Sequence, residues 1–293
     1  MINFGDVLTA MVTPYDDNLK LDLKKARKLA SYLVNNGSDG LVVLGTTGEV
    51  PTLKLEEKIE LLKTVLDEVE DKATVIAGTG SYSTEDSIFM SKKAEELGVD
   101  GIMLVTPYYN KPTQTGLYNH FATIASSTSL PIILYNVPDR TSRNIEPETV
   151  LKLAGVDNII GIKEASGKLD QVSTLSRILP EDFSIYSGDD ILTLPILAVG
   201  GKGVISVASH LVGKEIKEMI QYFKNNELEK AIKMNKKLGP IFKIMFMMTN
   251  PIPVKTALNL TGIDVGSLRP PLYEMDEEEK NLLKNALHEY NLL

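Results

Sequence analysis

The chain contains no cysteine, which removes disulfide bridges, thiolate metal sites and a cysteine nucleophile from consideration. It has no run of about 20 apolar residues, so no membrane span is expected. Positive charge is scarce too. Lys+Arg number 31 against 39 Asp+Glu, for a formal net charge of −8 and a pI near 5.1, which argues against nucleic acid as a partner. The opening Met-Ile-Asn-Phe-Gly-Asp lacks the basic start and apolar stretch of a secretory leader, and the cytoplasm is the expected compartment. The three histidines, His120, His210 and His288, form no His-x-His or His-Glu-x-x-His pair, so no metal site is expected. His120 and His288 fall on helical patterns and read as structural. No Gly-x-Ser-x-Gly elbow occurs, and Gly200-Gly201-Lys202-Gly203 precedes a strand pattern, whereas a dinucleotide loop opens a helix after one.

What is present is an ordinary globular composition, 43% hydrophobic and 24% charged over 293 residues. Short apolar runs rich in β-branched residues recur around Val7–Thr13, Gly40–Gly45, Thr74–Gly78, Gly101–Thr106, Ile132–Asn136, Ile159–Lys163, Ser184–Ser187 and Gly203–Val207. Helical patterns separate them, such as Leu53–Glu70, where Leu55, Ile59, Leu62, Leu66 and Val69 share one face. Short apolar strands alternating with helices read as a parallel sheet covered by helices, and eight such units in unbroken series favour a closed α/β barrel, (β/α)8. The barrel is expected over residues 1–224, with 225–293 a C-terminal helical extension packed on it. Within that extension Asp276 and Glu279 mark a helix start, and Ile244-Met245-Phe246-Met247-Met248 reads as core or subunit contact.

In such a barrel the active site gathers at the C-terminal strand ends. Those ends offer Thr46-Thr47-Gly48-Glu49, Pro107-Tyr108-Tyr109-Asn110, Tyr135-Asn136, Arg140, Lys163-Glu164, Gly188-Asp189 and Ile205-Ser206. Strand alternation sends Ile160 and Ile162 to one side and Gly161 and Lys163 to the other; the isoleucines suit the helix layer, so Lys163 points into the barrel with Gly161 leaving space beside it. A shielded amine favours the neutral form that attacks a ketone to give an imine. Position alone leaves a second reading open, a lysine ion-paired with Glu164 or another acid. Tyr135 has the parity to stand beside Lys163 and to exchange the protons that imine chemistry needs; read alone, it is first a packed aromatic with a satisfied hydroxyl. Thr46 and Thr47, in a turn leading towards a helix, suit a carboxylate cradle. Tyr108 and Tyr109 cannot both pack inward, so one is expected at a site or interface.

Together the strand ends resemble the dihydrodipicolinate synthase and N-acetylneuraminate lyase family of pyruvate-dependent class I aldolases. The matching stretches are Leu8-Thr-Ala-Met-Val-Thr-Pro14, Gly45-Thr-Thr-Gly-Glu49, Thr106-Pro-Tyr-Tyr-Asn-Lys-Pro112, Leu134-Tyr-Asn-Val-Pro138 with Arg140-Thr141, Gly161-Ile-Lys-Glu-Ala-Ser166, Ser187-Gly-Asp-Asp190 and Gly203-Val-Ile-Ser206. The resemblance implies Lys163 as the imine-forming lysine and a proton relay of Tyr135, Thr46 and Tyr109, with Tyr109 entering from a neighbouring subunit. It implies Thr46 and Thr47 on the pyruvate carboxylate, the Gly188 and Ile205 backbones lining the pocket, and no cofactor. Arg140, in the Tyr-Asn-Val-Pro-x-Arg-Thr form, implies L-aspartate 4-semialdehyde as the second substrate, its carboxylate gripped by the guanidinium; a surface salt bridge is the plainer reading of that residue. A homo-oligomer is implied, a tetramer built as a dimer of dimers. Val50, Pro51, Leu55, Lys58 and Tyr82 stand where lysine-inhibited members carry small, histidine and asparagine residues, and a cationic Lys58 would repel the effector amine, so feedback by lysine is expected to be weak or absent. Competing readings are a family aldolase acting on a sugar acid, a non-catalytic pyruvate-binding barrel and a metal-dependent barrel hydrolase.

Overall fold

The structure, a computed structural model, describes residues 3–293; Met1 and Ile2, where the opening read for a leader begins, lie outside them. Eight parallel strands follow one another in chain order around a closed barrel: β1 (Val7–Ala10), β2 (Gly40–Val43), β3 (Thr74–Gly78), β4 (Gly101–Val105), β5 (Ile132–Asn136), β6 (Ile159–Glu164), β7 (Ser184–Ser187) and β8 (Gly203–Ser206). The helices are α1 (Leu23–Asn35), α2 (Leu55–Val69), α3 (Thr84–Leu97), α4 (Gln114–Ala125), α5 (Pro138–Thr141), α6 (Pro147–Leu153), α7 (Leu169–Ile178), α8 (Thr193–Ala198) and α9 (Ser209–Lys224), then α10 (Leu228–Ile244), α11 (Ile252–Leu260) and α12 (Glu277–Glu289) after the last strand. The (β/α)8 expectation holds, and so does the strand count. None of the helices among the described residues is long and apolar enough to cross a membrane.

By its contacts the chain forms two compact units, one of Thr74–Ile205 with the residues up to Asp6, the other of Val7–Ala73 with Ser206–Leu293. In the first, β4, β5 and β6 pair in register through Ile102↔Ile132, Val105↔Tyr135 and Tyr135↔Lys163, and Leu104, Phe121, Leu134 and Ile162 are fully buried. In the second, β1 pairs with β2, and Leu29, Leu33, Leu41, Leu62, Ile216, Phe242 and Leu258 form the core. Helix starts follow the expected chemistry. Asp22 accepts from the Lys24 and Lys25 amides at the head of α1, and Asp276 and Glu279 form a reciprocal capping box at the head of α12 (2.8 and 2.9 Å). Each such cap is worth about 1 kcal/mol.

Two expectations needed revision, over strand ends and over the face of α2. Some runs overshoot their strands: β1 stops at Ala10, and β2 stops at Val43 because Leu44 takes a φ of +62° and turns the chain out of the sheet. The buried face of α2 is Leu61, Leu62, Val65 and Val69; Ile59 and Leu66 are half-buried and Leu55 is exposed. The first turn is fixed by polar contacts, Lys54 N donating to Glu57 (2.8 Å) and Arg269 gripping the same carboxylate, which leaves Leu55 on the rim. The Met-rich stretch divides: Met245 is core while Phe246 is exposed. His120 and His288 do lie on helices, α4 and α12. His210 is fully buried, its Nδ1 donating to the Val207 carbonyl (2.8 Å) and its Nε2 accepting from the Val12 amide (3.2 Å), and burial pushes its pKa down to about 4.

Candidate active site

Lys163 and Tyr135 are brought together by strand register. They are directly paired across β5 and β6, both buried, with the Lys163 amine 4.4 Å from the centre of the tyrosine ring. Lys163 is only 3% exposed, yet among the described residues no acid pairs with its amine and no acceptor takes a hydrogen bond from it. The Tyr135 hydroxyl likewise has no hydrogen-bond partner there. The contact between the amine and the ring face is worth about 0.5–2 kcal/mol.

The ion-paired alternative for Lys163 fails on the next residue. Glu164 points to the opposite face of β6, where its buried carboxylate accepts from Asn136 Nδ2 (3.1 and 3.0 Å), Gln171 Nε2 (3.0 Å) and the Ser166 amide (2.7 Å). Neutral donors satisfy this acid completely, and strand alternation keeps it away from the lysine. Asn136 is itself fixed by the Ile145 amide (3.0 Å) and Asn144 (2.8 Å). So the residues directly after Tyr135 and Lys163 are bonded to each other, which holds the two strand ends in register.

Two glycines shape the surroundings. A Cβ on Gly188 would come within 3.1 Å of Lys163 Cε and 2.6 Å of Ala165 Cβ, so the bare backbone of β7's end leaves the lysine its room. Gly161 serves a different purpose from the one expected: its missing side chain admits the Ser184 carbonyl of β7, which a Cβ would meet at 2.7 Å. Ile205 is buried in β8. Arg140 lies exposed on α5. Of the adjacent tyrosines, Tyr108 packs edge-on against Tyr82 (centroids 5.2 Å), whereas Tyr109 is 93% exposed with φ +69°. Asn110 donating to the Tyr82 carbonyl (3.0 Å) and Arg143 donating to the Lys111 carbonyl (2.9 Å) pin this loop.

The Thr46–Thr47 turn belongs to the other compact unit. Thr46–Gly48 form a 3₁₀ turn after β2, closed by Glu49 in the left-handed region (φ +53°). Thr13 donates to the Gly48 carbonyl (2.7 Å), and Asn250 Nδ2 donates to Thr47 Oγ1 (2.8 Å). The Glu49 carboxylate accepts from Lys255 Nζ (3.0 Å) and the Arg269 amide (2.9 Å). Lys255 also donates to the Thr13 and Ser267 carbonyls. Burial pushes its pKa down to about 8 against the pull of Glu49. The Tyr15 ring has Lys255 and Arg269 both 4.3 Å from its centre. Arg269 grips Glu57 with two nitrogens and holds that carboxyl down at about 2.

Against known proteins, the family model described as "Dihydrodipicolinate synthetase family" matches residues 3–290. The chain belongs to the dihydrodipicolinate synthetase family. It is 58% identical over 292 residues, 100% of this chain and 99% of the other, to the 4-hydroxy-tetrahydrodipicolinate synthase of Desulforudis audaxviator. Among solved structures it is similar to dihydrodipicolinate synthase DapA-2 of Bacillus anthracis (49% identity, TM-score 0.96, covering 98% and 99% of the two chains). The Cyanidioschyzon merolae enzyme with lysine bound is 45% identical, with TM-score 0.97 and 99% of each chain covered.

The supporting residues Gln171, Asn250, Lys255 and Arg269 carry no role in the sequence reading, and Glu164 enters it only as a possible ion-pair partner of Lys163. Lys255 had a signal that could have been read. It is the lone charged residue of Ile252-Pro-Val-Lys-Thr-Ala-Leu-Asn-Leu260, and a single lysine in an apolar helix demands a buried acceptor. Among the described residues no group of three or more histidine, aspartate or glutamate side chains could hold a metal ion.

Proposed function

We infer that this enzyme condenses pyruvate with L-aspartate 4-semialdehyde through an imine on Lys163, yielding 4-hydroxy-tetrahydrodipicolinate for diaminopimelate and lysine biosynthesis. The observation that carries it is the buried Lys163 amine, without an acid partner, against the face of Tyr135. An amine with no ion pair to break is available to attack a ketone. The Lys163 nitrogen adds to the pyruvate carbonyl and water leaves, giving an imine. Loss of a methyl proton turns it into an enamine, whose carbon forms the new C–C bond to the semialdehyde carbonyl. The substrate amine then displaces Lys163 as the ring closes, and the lysine returns unchanged. The imine itself is the electron sink, so no cofactor takes part.

Tyr135 is the group that carries protons to and from these intermediates, with Thr46 and with Tyr109 from a second copy of the chain completing the relay. A tyrosine 93% exposed on a pinned, left-handed loop suits insertion into a partner, and supports a homo-oligomer, a tetramer built as a dimer of dimers. Thr46 and Thr47 hold the pyruvate carboxylate, Gly188 and Ile205 line the pocket with their backbones, and Arg140 receives the semialdehyde carboxylate. Lysine inhibits weakly or not at all, given Lys58 and Tyr82 at the positions that differ from inhibited members. The cytoplasm is the compartment this chemistry suits.

The test is borohydride reduction with pyruvate followed by mass spectrometry. A pyruvyl adduct on Lys163 is expected, and its absence would overturn the mechanism. Faster pyruvate consumption with aspartate semialdehyde than with N-acetylmannosamine separates this activity from that of a sugar-acid aldolase.

A further inference from the structure

The Thr47 hydroxyl has one proton to give and its oxygen can accept. Asn250 Nδ2 can only donate, and it donates to Thr47 Oγ1 at 2.8 Å in a buried setting. The oxygen is therefore engaged as an acceptor, and among the described residues nothing accepts the hydroxyl's own proton. Asn250 thus fixes not only where this hydroxyl sits but which way it donates. The turn carrying it is held from the same stretch of chain, since Lys255, five residues on, bonds Glu49 (3.0 Å) and the Thr13 carbonyl (3.0 Å), while Thr13 donates to the Gly48 carbonyl.

We propose that Asn250 is a positioning residue for the first substrate: by occupying the acceptor side of the Thr47 oxygen, it leaves the hydroxyl as an obligate donor for a carboxylate seated on the Thr46–Thr47 turn. The proposal rests on the reading of that turn as the pyruvate carboxylate site. Its chemical logic is polarity selection, because a hydroxyl free to rotate presents a lone pair to an anion as readily as a proton, and an oriented one presents only the proton. The chain between α10 and α11, beyond the last strand, acquires a part in substrate affinity in this way.

The experiment compares steady-state kinetics of Asn250→Ala, Asn250→Asp, Thr47→Val and the double variant Thr47→Val/Asn250→Ala, with the borohydride adduct titrated against pyruvate in each. Asn250→Ala should raise KM for pyruvate about tenfold, the size expected for one weakened hydrogen bond to an anion, and leave KM for the semialdehyde within about twofold. Asn250→Asp should raise it further, since a carboxylate takes the Thr47 proton for itself. In the Thr47→Val background, Asn250→Ala should have no further effect on pyruvate KM. An unchanged pyruvate KM in Asn250→Ala, or an equal rise in the Thr47→Val background, would overturn the proposal while a wild-type adduct on Lys163 leaves the pyruvate reading standing. No adduct in the wild type would remove that reading and the proposal with it. If Asn250→Ala fails to fold, Asn250→Asp, nearly the same in shape, decides by the same pyruvate KM.

Discussion

Two lysines in this molecule are alike in burial and opposite in circumstance. Lys163 is 3% exposed and Lys255 1%, and each lies over a tyrosine ring, at 4.4 and 4.3 Å. Lys255 donates three hydrogen bonds, to Glu49, Thr13 and Ser267. Lys163 donates none among the described residues. Burial therefore does not set these two lysines apart; their partners do. A buried lysine whose amine is bonded to a carboxylate and to carbonyls is tied to the fold, and one whose amine has no such partner is open to a ligand.

The sharpest way to break this contrast is to replace each lysine with methionine, similar in length and uncharged. Lys163→Met should lower kcat/KM for the condensation by on the order of 10⁴-fold or more while raising the thermal midpoint by about 2–4 °C. A fall in midpoint would mean that Lys163 supports the fold after all. Lys255→Met should behave the other way, costing about 3–5 kcal/mol in a urea titration because Glu49 is left charged and buried. Adding Glu49→Gln to Lys255→Met should restore part of that loss.

A third measurement uses pH. Burial holds Lys255 down at about 8 in the folded protein, against about 10.4 in an unfolded chain. Between those values the unfolded chain binds the proton that the folded one has released, so this group makes stability rise with pH across that window. The stability difference between wild type and Lys255→Met should therefore widen from pH 8 to 10, by up to about 3 kcal/mol. A flat difference would show that Lys255 titrates as an ordinary lysine. The smallest effect is expected from Gly188→Ala. Its Cβ would press on Lys163 Cε and Ala165 Cβ, and activity should fall about 10–100-fold with only about 1–3 kcal/mol lost from stability.

Much of the barrel was legible because its signals are local. Runs such as Ile132–Asn136 and Ser184–Ser187 coincide with their strands, and the parity that points Lys163 inward follows from two-residue alternation alone. Where a backbone dihedral decided, as at Leu44, the apolar run overshot the strand. Where a distant side chain decided, the reading failed. The face of α2 depends on Arg269 gripping Glu57, 212 residues away in the chain, and Thr47 is oriented by Asn250, 203 residues on. Pro251 and Pro253 mark that neighbourhood only as a break in helical pattern. The choice between a paired and an unpaired Lys163 lay beyond the sequence for the same reason, since Glu164's donors come from β5 and α7.

The back-to-back arrangement of Lys163 and Glu164 has a consequence for how this region can change over generations. Point substitutions on either face of β6 are independent events, each tested against its own surroundings. An insertion or deletion of one residue upstream in the strand is not, because it exchanges the faces. The carboxylate would enter the barrel, the amine would be thrust among the amides of Asn136 and Gln171, and the amine's seat and the carboxylate's bonds would be lost together. This stretch of the gene can drift by letters but not by length.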